Sequence, residues 1–481
     1  MKHFQMYSPA VTRTISTFFI LLALVVLLIE RVDAADRPNV VLISVDDLND
    51  WCGCLGGHPQ ASTPNVDRLA DRGMLFTNAH CQGTMCNPSR ISLLWGRRPS
   101  STGFYSNRYS VNKEPEFLKT HVSLPAHFAA SDYKTLTAGK VFHSGVNLNQ
   151  YFDVVGPRSG QWLKSLDKKV HDKPKGWHGI WDFGPQEYAE SKFTDHVTAT
   201  WVTKQLGSEH EKPFLLAFGF YRPHVPFFPP RRVYDGVGDV QLPLVDDDDW
   251  DDIPDAARTV SMSNPKIPTH KWMREEGRWE EAVRAYLACI RWTDEQLGRV
   301  LDALDKGPHG RNTIVVLFSD HGYHLGEKQR WSKFSLWERT THVPLIVSVP
   351  DGLKGRTDKP VELLSIYPTL IDLCGLPVNQ KLEGVSLEPL LKNAHSAWKH
   401  VAVSTLGHNN HAVRDERWRY IRYADGSEEL YDHQTDPNEW CNLAVQSLTP
   451  EHDAIIARLK KHLPGTNRPQ RGTQPKKENP L

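Results

Sequence analysis

The chain has 481 residues, enough for two domains and a large core, and its 39% hydrophobic and 24% charged content is that of an ordinary globular protein. Lys+Arg and Asp+Glu stand at 57 each, which excludes nucleic-acid binding driven by bulk charge and leaves only local charged pockets to argue from. Seven cysteines permit disulfides but leave one over; no C-x-x-C repeat suggests structural zinc, and Cys52 and Cys54 are too close for an ordinary pair.

The N-terminus starts basic (Met1-Lys-His), continues as the apolar run Ile15–Ile29 and ends on Val32-Asp-Ala34. This pattern predicts a cleaved export signal over residues 1–34. The run is shorter than the roughly 20 residues of a spanning helix, so no stable membrane anchor is expected. No Asn-x-Ser/Thr acceptor is present, since Asn87-Pro88-Ser89 is blocked by its proline. The expected location is therefore periplasmic or extracellular, in a bacterium.

Continuous apolar runs predict buried strands at Asn39–Val45, Pro213–Phe220, Thr313–Ser319 and Val343–Pro350. Between them lie helical patterns. The clearest runs from Trp279 to Leu304, with Val283, Tyr286, Leu287, Ile290, Leu297, Val300, Leu301 and Leu304 on one stripe. Alternating strands and helices predict an α/β catalytic domain over 35–384, a large mostly parallel sheet sandwiched by helices. Arg417–Tyr423 and Glu428–Asp432 flank an Asp-Gly turn and read as a hairpin inside a smaller α+β domain, 385–463. Residues 464–481, rich in Pro, Gly, Gln and Lys, are expected to be a disordered tail. Residues 157–190, with Trp162, Trp177 and Trp181, read as a long insertion able to influence substrate choice. The acidic run Asp246–Asp252 reads as a solvated loop.

Ligands of open α/β sheets collect beyond the carboxyl ends of the strands. Here those ends carry Asp46-Asp47, Asp320-His321, Tyr221-Arg222-Pro223-His224 and, after another short apolar segment, Gly139–His143. Three carboxylates converging from two strand ends need a cation, and an oxygen-rich set suits Ca²⁺ or Mg²⁺, with His321 completing the shell. Cys86 stands just before Asn87-Pro88-Ser89-Arg90, and proline favours a first helical turn, so the thiol is placed at a helix N-terminus. On those grounds alone Cys86 is equally a disulfide half, a nucleophile or a core residue.

At this point the chain resembles the type I sulfatases of the alkaline-phosphatase superfamily. The resemblance rests, in order, on Val45–Leu48, Thr63–Leu69, Cys86–Arg90 followed by Gly96-Arg97, Gly139–His143, Phe318–Gly322, Thr341–Leu345, Glu429–Asp432 and Asp436-Pro437. It is closest to the iduronate-2-sulfatase branch, because Gly139–His143 has that branch's Lys-x-x-His spacing and His321 follows the metal aspartate.

The resemblance implies that a formylglycine-generating enzyme oxidises Cys86 to formylglycine. It implies a divalent metal, Ca²⁺ with Mg²⁺ as the alternative, held by Asp46, Asp47, Cys86, Asp320 and His321. The hydrated aldehyde offers a hydroxyl that attacks sulfur, and its second hydroxyl later expels sulfate. Arg90 is implied as partner of that hydroxyl, and Lys140 and Lys333 as binders of sulfate oxygens. His143 is implied as base for the second hydroxyl, and His224 as proton donor to the departing sugar oxygen. The expected function is removal of sulfate from a sulfated saccharide, first a uronic-acid 2-O-sulfate of a glycosaminoglycan. Another polysaccharide, such as an algal one, is the alternative. A phosphoester hydrolase of the same superfamily, or a non-catalytic carbohydrate-binding protein should Cys86 stay a thiol, are the other classes.

Overall fold

The aliphatic run after Asn39 forms β1 (Asn39–Asp46), buried along its whole length. Its side chains alternate between two cores, as the period of two in a strand requires. Val41, Ile43 and Val45 enter one hydrophobic cluster, while Val40 and Leu42 enter another on the opposite face. The computed structural model describes residues 37–143, 145–158, 168–171, 180–264, 266–446 and 449–472. The expected export signal at 1–34, Trp162 and Trp177 lie outside them.

Beside β1 stand β2 (Met74–Phe76), β3 (Lys134–Gly139), β4 (Val154–Val155), β5 (Phe214–Pro223), β6 (Thr313–Ser319), β7 (Leu345–Ser348) and β8 (Gly355–Thr357). The sheet order is β8-β2-β7-β6-β1-β5-β3-β4. β1 is parallel to β5 and to β6, and β3 is parallel to β5. β7 runs antiparallel to both β2 and β6. It is shorter than the apolar run that signalled it, bracketed by Pro344 and Pro350, which have no N–H to give a ladder.

Helices cover both faces. α1 (Pro64–Asp71), α3 (Thr194–Leu206) and α4 (Trp279–Lys306) pack on the side of Val41 and Ile43; α2 (Cys86–Trp95) and α5 (Ile366–Leu373) pack on the side of Val40 and Leu42. All eight stripe residues of α4 are buried. α2 ends at Gly96, whose φ of 64° closes the helix with an N–H to the Ser92 carbonyl. A side chain there would also force Leu382 to shift, and the left-handed φ is the feature that favours glycine.

The smaller domain is a four-stranded antiparallel meander of β9 (Ala402–Thr405), β10 (His411–Arg414), β11 (Trp418–Arg422) and β12 (Glu428–Asp432). The β11–β12 turn uses Gly426 at φ 96°. Leu387, Leu390 and Leu391 pack in the same cluster as Ile91 and Leu94, so the stretch just beyond 384 still belongs to the large core and the small sheet begins at Ala402. Residues 464–472 depart from the expected tail: they run against the large domain, with Arg468 N donating to Ser100 O and Arg471 N to Gly103 O. Composition signals a lack of apolar cohesion, but not the specific polar partners that hold this segment. Residues 473–481 lie outside the described ones. Among the described residues no helix is long and apolar enough to cross a membrane.

Candidate active site

β1 and β6 are parallel neighbours in register, Val45 beside Ser319, so the residues leaving their carboxyl ends arrive together. Asp47 N donates to Asp320 Oδ1 at 3.2 Å. Asp47 holds a left-handed backbone, φ 64°, steadied by Tyr286 Oη, which donates to its carbonyl at 2.7 Å. Such a conformation in a non-glycine residue is tolerated where surrounding contacts over-determine it.

The start of α2 places Cys86 against these carboxylates. Ligand atoms of Asp46, Cys86, Asp320 and His321 lie within 4.8 Å of one another, and so do those of Asp46, Asp47, Cys86 and His224. Lys333 Nζ stands 3.1 Å from Cys86 Sγ and 2.7 Å from Asp47 Oδ1. Lys140 Nζ stands 3.8 Å from the same sulfur, pairs with Asp46 and lies 4.8 Å above the Tyr221 ring. His321 Nε2 is 3.4 Å from Cys86 Sγ, and its Nδ1 meets the Gly322 carbonyl at 3.0 Å. Burial, foremost, pushes His321 down to about 4. The ring is then neutral, with Nδ1–H on the carbonyl and the Nε2 lone pair facing the cluster.

The comparisons with known proteins agree with this geometry. The sulfatase family profile matches residues 38–376, and the profile described as N-sulphoglucosamine sulphohydrolase, C-terminal, matches 326–468. A sulfatase of Formosa agariphila is 38% identical over 90% of this chain and 87% of its own. Mouse iduronate 2-sulfatase is 31% identical over 78% of this chain and 75% of its own. A solved 2-O GAG sulfatase superposes with a TM-score of 0.67 at 26% identity, covering 88% of this chain and 91% of that one. The chain belongs to the sulfatase family. It has the alkaline-phosphatase-like architecture of that family and is a sulfuric ester hydrolase.

Electrostatics of the sulfatase site follow from its depth. Burial alone would raise Asp46, but Lys140, then His224, Arg90 and Lys333, hold it well below the usual carboxylate range. Asp47 goes the other way, pushed up to about 7 by burial beside Asp46 and Asp320 and against the pull of Lys333. Its Oδ2 is buried with no hydrogen-bond partner. Three carboxylates, one with an orphaned oxygen, and a neutral imidazole form a donor set that fits a hard divalent cation. Burial beside the Asp46 carboxylate raises the Cys86 thiol to about 12, against the opposing pull of Lys140 and Lys333. An unmodified Cys86 is therefore a protonated, unreactive thiol at neutral pH.

Arg90 is buried beside the cluster and gives its hydrogen bonds to carboxylates, a hydroxyl and carbonyls. Its hydrogen bonds run to Asp320 Oδ2 at 2.9 Å, Asp46 Oδ1 at 3.1 Å, Ser44 Oγ at 3.2 Å and the Lys140 and Val141 carbonyls. In this arrangement it braces two of the carboxylates. His224 Nε2 stands 3.8 Å from Asp47 Oδ2, while its Nδ1 meets Val225 O at 2.6 Å and Tyr221 Oη at 2.8 Å. Tyr221 and Tyr286 are the supports that sequence reading missed. Tyr221 stands in the quoted Tyr221–His224 segment, but nothing local shows that its hydroxyl turns back onto His224. His143 is half-buried, and burial followed by Lys140 pushes it down to about 3.

Two other readings change. Asp249 of the acidic run is buried, not solvated, and pairs with Lys328 at 2.7 Å. Trp181 is core, edge-on to Trp331 at 5.9 Å. A second acidic group, Glu338, His433 and Glu439, is an ion-pair knot: Arg419 binds both glutamates and ties the small domain to the large one.

Proposed function

We propose that this sulfatase is exported and removes the 2-O-sulfate of a uronic acid in a glycosaminoglycan fragment. Formylglycine formed from Cys86 and a divalent cation held by Asp46, Asp47, Asp320 and His321 would equip the site. The observation that carries the catalytic reading is the pair of ammonium groups, Lys140 and Lys333, converging on the sulfur of a buried Cys86 beside a carboxylate cluster. The sugar rests on what two relatives act on, an iduronate 2-sulfatase matched over 78% of this chain and a 2-O GAG sulfatase matched over 88% of it.

When formed, the hydrated aldehyde at residue 86 supplies an oxygen nucleophile that the high-pKa thiol cannot. A bound cation supplies positive charge where the sulfate sits. Lys333 and Lys140 are placed to bind sulfate oxygens and stabilise charge as the S–O bond breaks. His224 Nε2 is placed to hand a proton to the departing sugar oxygen, since Nδ1–H is occupied by the Val225 carbonyl. Burial, then Lys140 and Lys333, pushes His224 well down, so the donor role needs the anionic substrate, whose charge offsets the lysines. A neutral His143 is fit to accept a proton from the residue-86 hydroxyl.

Replacing His224 with alanine should lower kcat on a sugar sulfate by about 100-fold or more. Turnover of a nitrophenyl sulfate, whose leaving group departs unprotonated, should fall far less. Equal losses on both substrates would remove His224 from the acid role. The substrate itself is tested by incubating the enzyme with defined sulfated oligosaccharides and reading which position loses sulfate. Sulfate release from galactan or ulvan with none from 2-O-sulfated uronates would move the assignment to an algal polysaccharide. Preference for aryl phosphate over aryl sulfate would move it to a phosphoester.

A further inference from the structure

We infer that residues 467–471 form a strap that positions the nucleophile, with Arg471 and Asn467 as its positioning residues. The reading rests on the sulfatase activity, but not on the choice of sugar.

The first turn of α2 is held by Ser89 Oγ, which donates to Asp320 O at 2.6 Å, and from the outer side by the 106–109 loop. Asn87 N donates to Asn107 Oδ1 at 2.9 Å, and Asn87 Nδ2 donates to the Ser106 and Tyr109 carbonyls at 2.9 Å each. Helix-start N–H groups have no partner within the helix, so this loop helps to set where residue 86 points. The strap supports that loop from behind. Tyr105 Oη donates to Arg468 O at 3.0 Å, Arg471 Nε to Thr102 O at 2.6 Å, and Arg471 N to Gly103 O at 2.9 Å. The Arg471 guanidinium lies 5.1 Å from the Phe104 ring and 5.6 Å from that of Phe117. It pairs with Glu114, which also accepts from Tyr109 Oη at 2.7 Å. The strap crosses so closely that a Cβ on Gly103 would come within 2.5 Å of Pro469 O.

The same strap reaches the chain that enters the helix from the other side. Asn467 Oδ1 accepts from His411 Nε2 at 2.8 Å, and His411 Nδ1 meets Thr405 Oγ1 at 3.0 Å. Thr405 N in turn donates to Gln82 O at 2.9 Å, four residues before Cys86. One short segment thus ties the small-domain hairpin and the 102–109 loop to each other, on both flanks of residue 86.

Arg471→Ala should lower kcat for an aryl sulfate about tenfold, per mole of formylglycine, with KM within about twofold, because a small misplacement of a reacting group is costly. Arg471→Lys should recover part of the loss: it keeps the Glu114 pair and loses the fork to Thr102 O. Asn467→Ala should act in the same direction. Amide hydrogen exchange at 86–90 and 104–109 should quicken in Arg471→Ala while the exchange of β1 stays unchanged. Folded Arg471→Ala and Asn467→Ala proteins with unaltered exchange at 86–90 and wild-type kcat would overturn the proposal. Wild-type protein inert toward aryl and sugar sulfates would instead defeat the functional reading, and the exchange measurement would still decide the strap.

Discussion

Replacing Cys86 with alanine is expected to lower sulfate-ester turnover by about 10⁴-fold or more, with the unfolding midpoint moved by no more than about 4 °C. The size of the loss follows from the position. Cys86 is the residue that Lys333, Lys140 and His321 all face, at 3.1, 3.8 and 3.4 Å from its sulfur. The small stability effect follows from the size of the deleted group, a single buried thiol at the start of a helix that is otherwise packed along its whole length. Kinetics on an aryl sulfate and a thermal melt read both. The companion measurement is the mass of the peptide containing residue 86 in protein from its native host. An aldehyde or its hydrate is expected, since a thiol kept protonated by burial and Asp46 is a poor nucleophile for the turnover the site should support. A fully active enzyme whose Cys86 is intact and alkylatable would end the formylglycine reading.

Stripping divalent metal with a chelator is expected to abolish turnover while lowering the unfolding midpoint only modestly. In the structure Lys140 and Lys333 lean directly on Asp46 and Asp47, and Arg90 spans Asp46 and Asp320. Three cations thus stand against three carboxylates, so loss of a bound ion would leave the cluster with counter-charges of its own. Activity should be lost because both lysines would then remain paired with Asp46 and Asp47. A bound cation would take over that neutralisation and leave both ammonium groups for sulfate. Re-addition of Ca²⁺ or Mg²⁺ should restore activity, and the ion restoring it at the lower concentration is the one the site prefers. At 100 times Kd the metal should add about 2.7 kcal/mol of stability. Asp320→Asn should lower kcat by about 100-fold, equivalent to about 2.7 kcal/mol, and blunt the metal-induced rise in midpoint. Full turnover in protein shown by atomic spectroscopy to be metal-free would reject the metal role.

What the sequence determined by itself is whatever has a local physical signature. The continuous apolar runs at 39–45, 213–220 and 313–319 announced strands buried on both faces, and the stripe from Val283 to Leu304 announced α4, because burial imposes a period on neighbouring residues. Asp46, Asp47 and Asp320 could be named from the same information, since in a parallel sheet the carboxyl ends of adjacent strands share one rim. Motif order carried Lys140, His143, His224 and Lys333, though no period marks any of them. The tertiary structure alone decided which partners these residues meet. Lys333 reaches Cys86 from a loop whose flanking Ser332 and Phe334 both have left-handed φ, and no periodicity encodes such a path. Arg90 faces two carboxylates, Tyr221 closes on His224, Arg471 grips a loop more than 350 residues earlier in the chain, and Asn467 holds His411 of the small domain. Each of these is a hydrogen bond or ion pair between groups whose proximity the fold creates, and a contact made only by folding leaves no trace in the residues next to it.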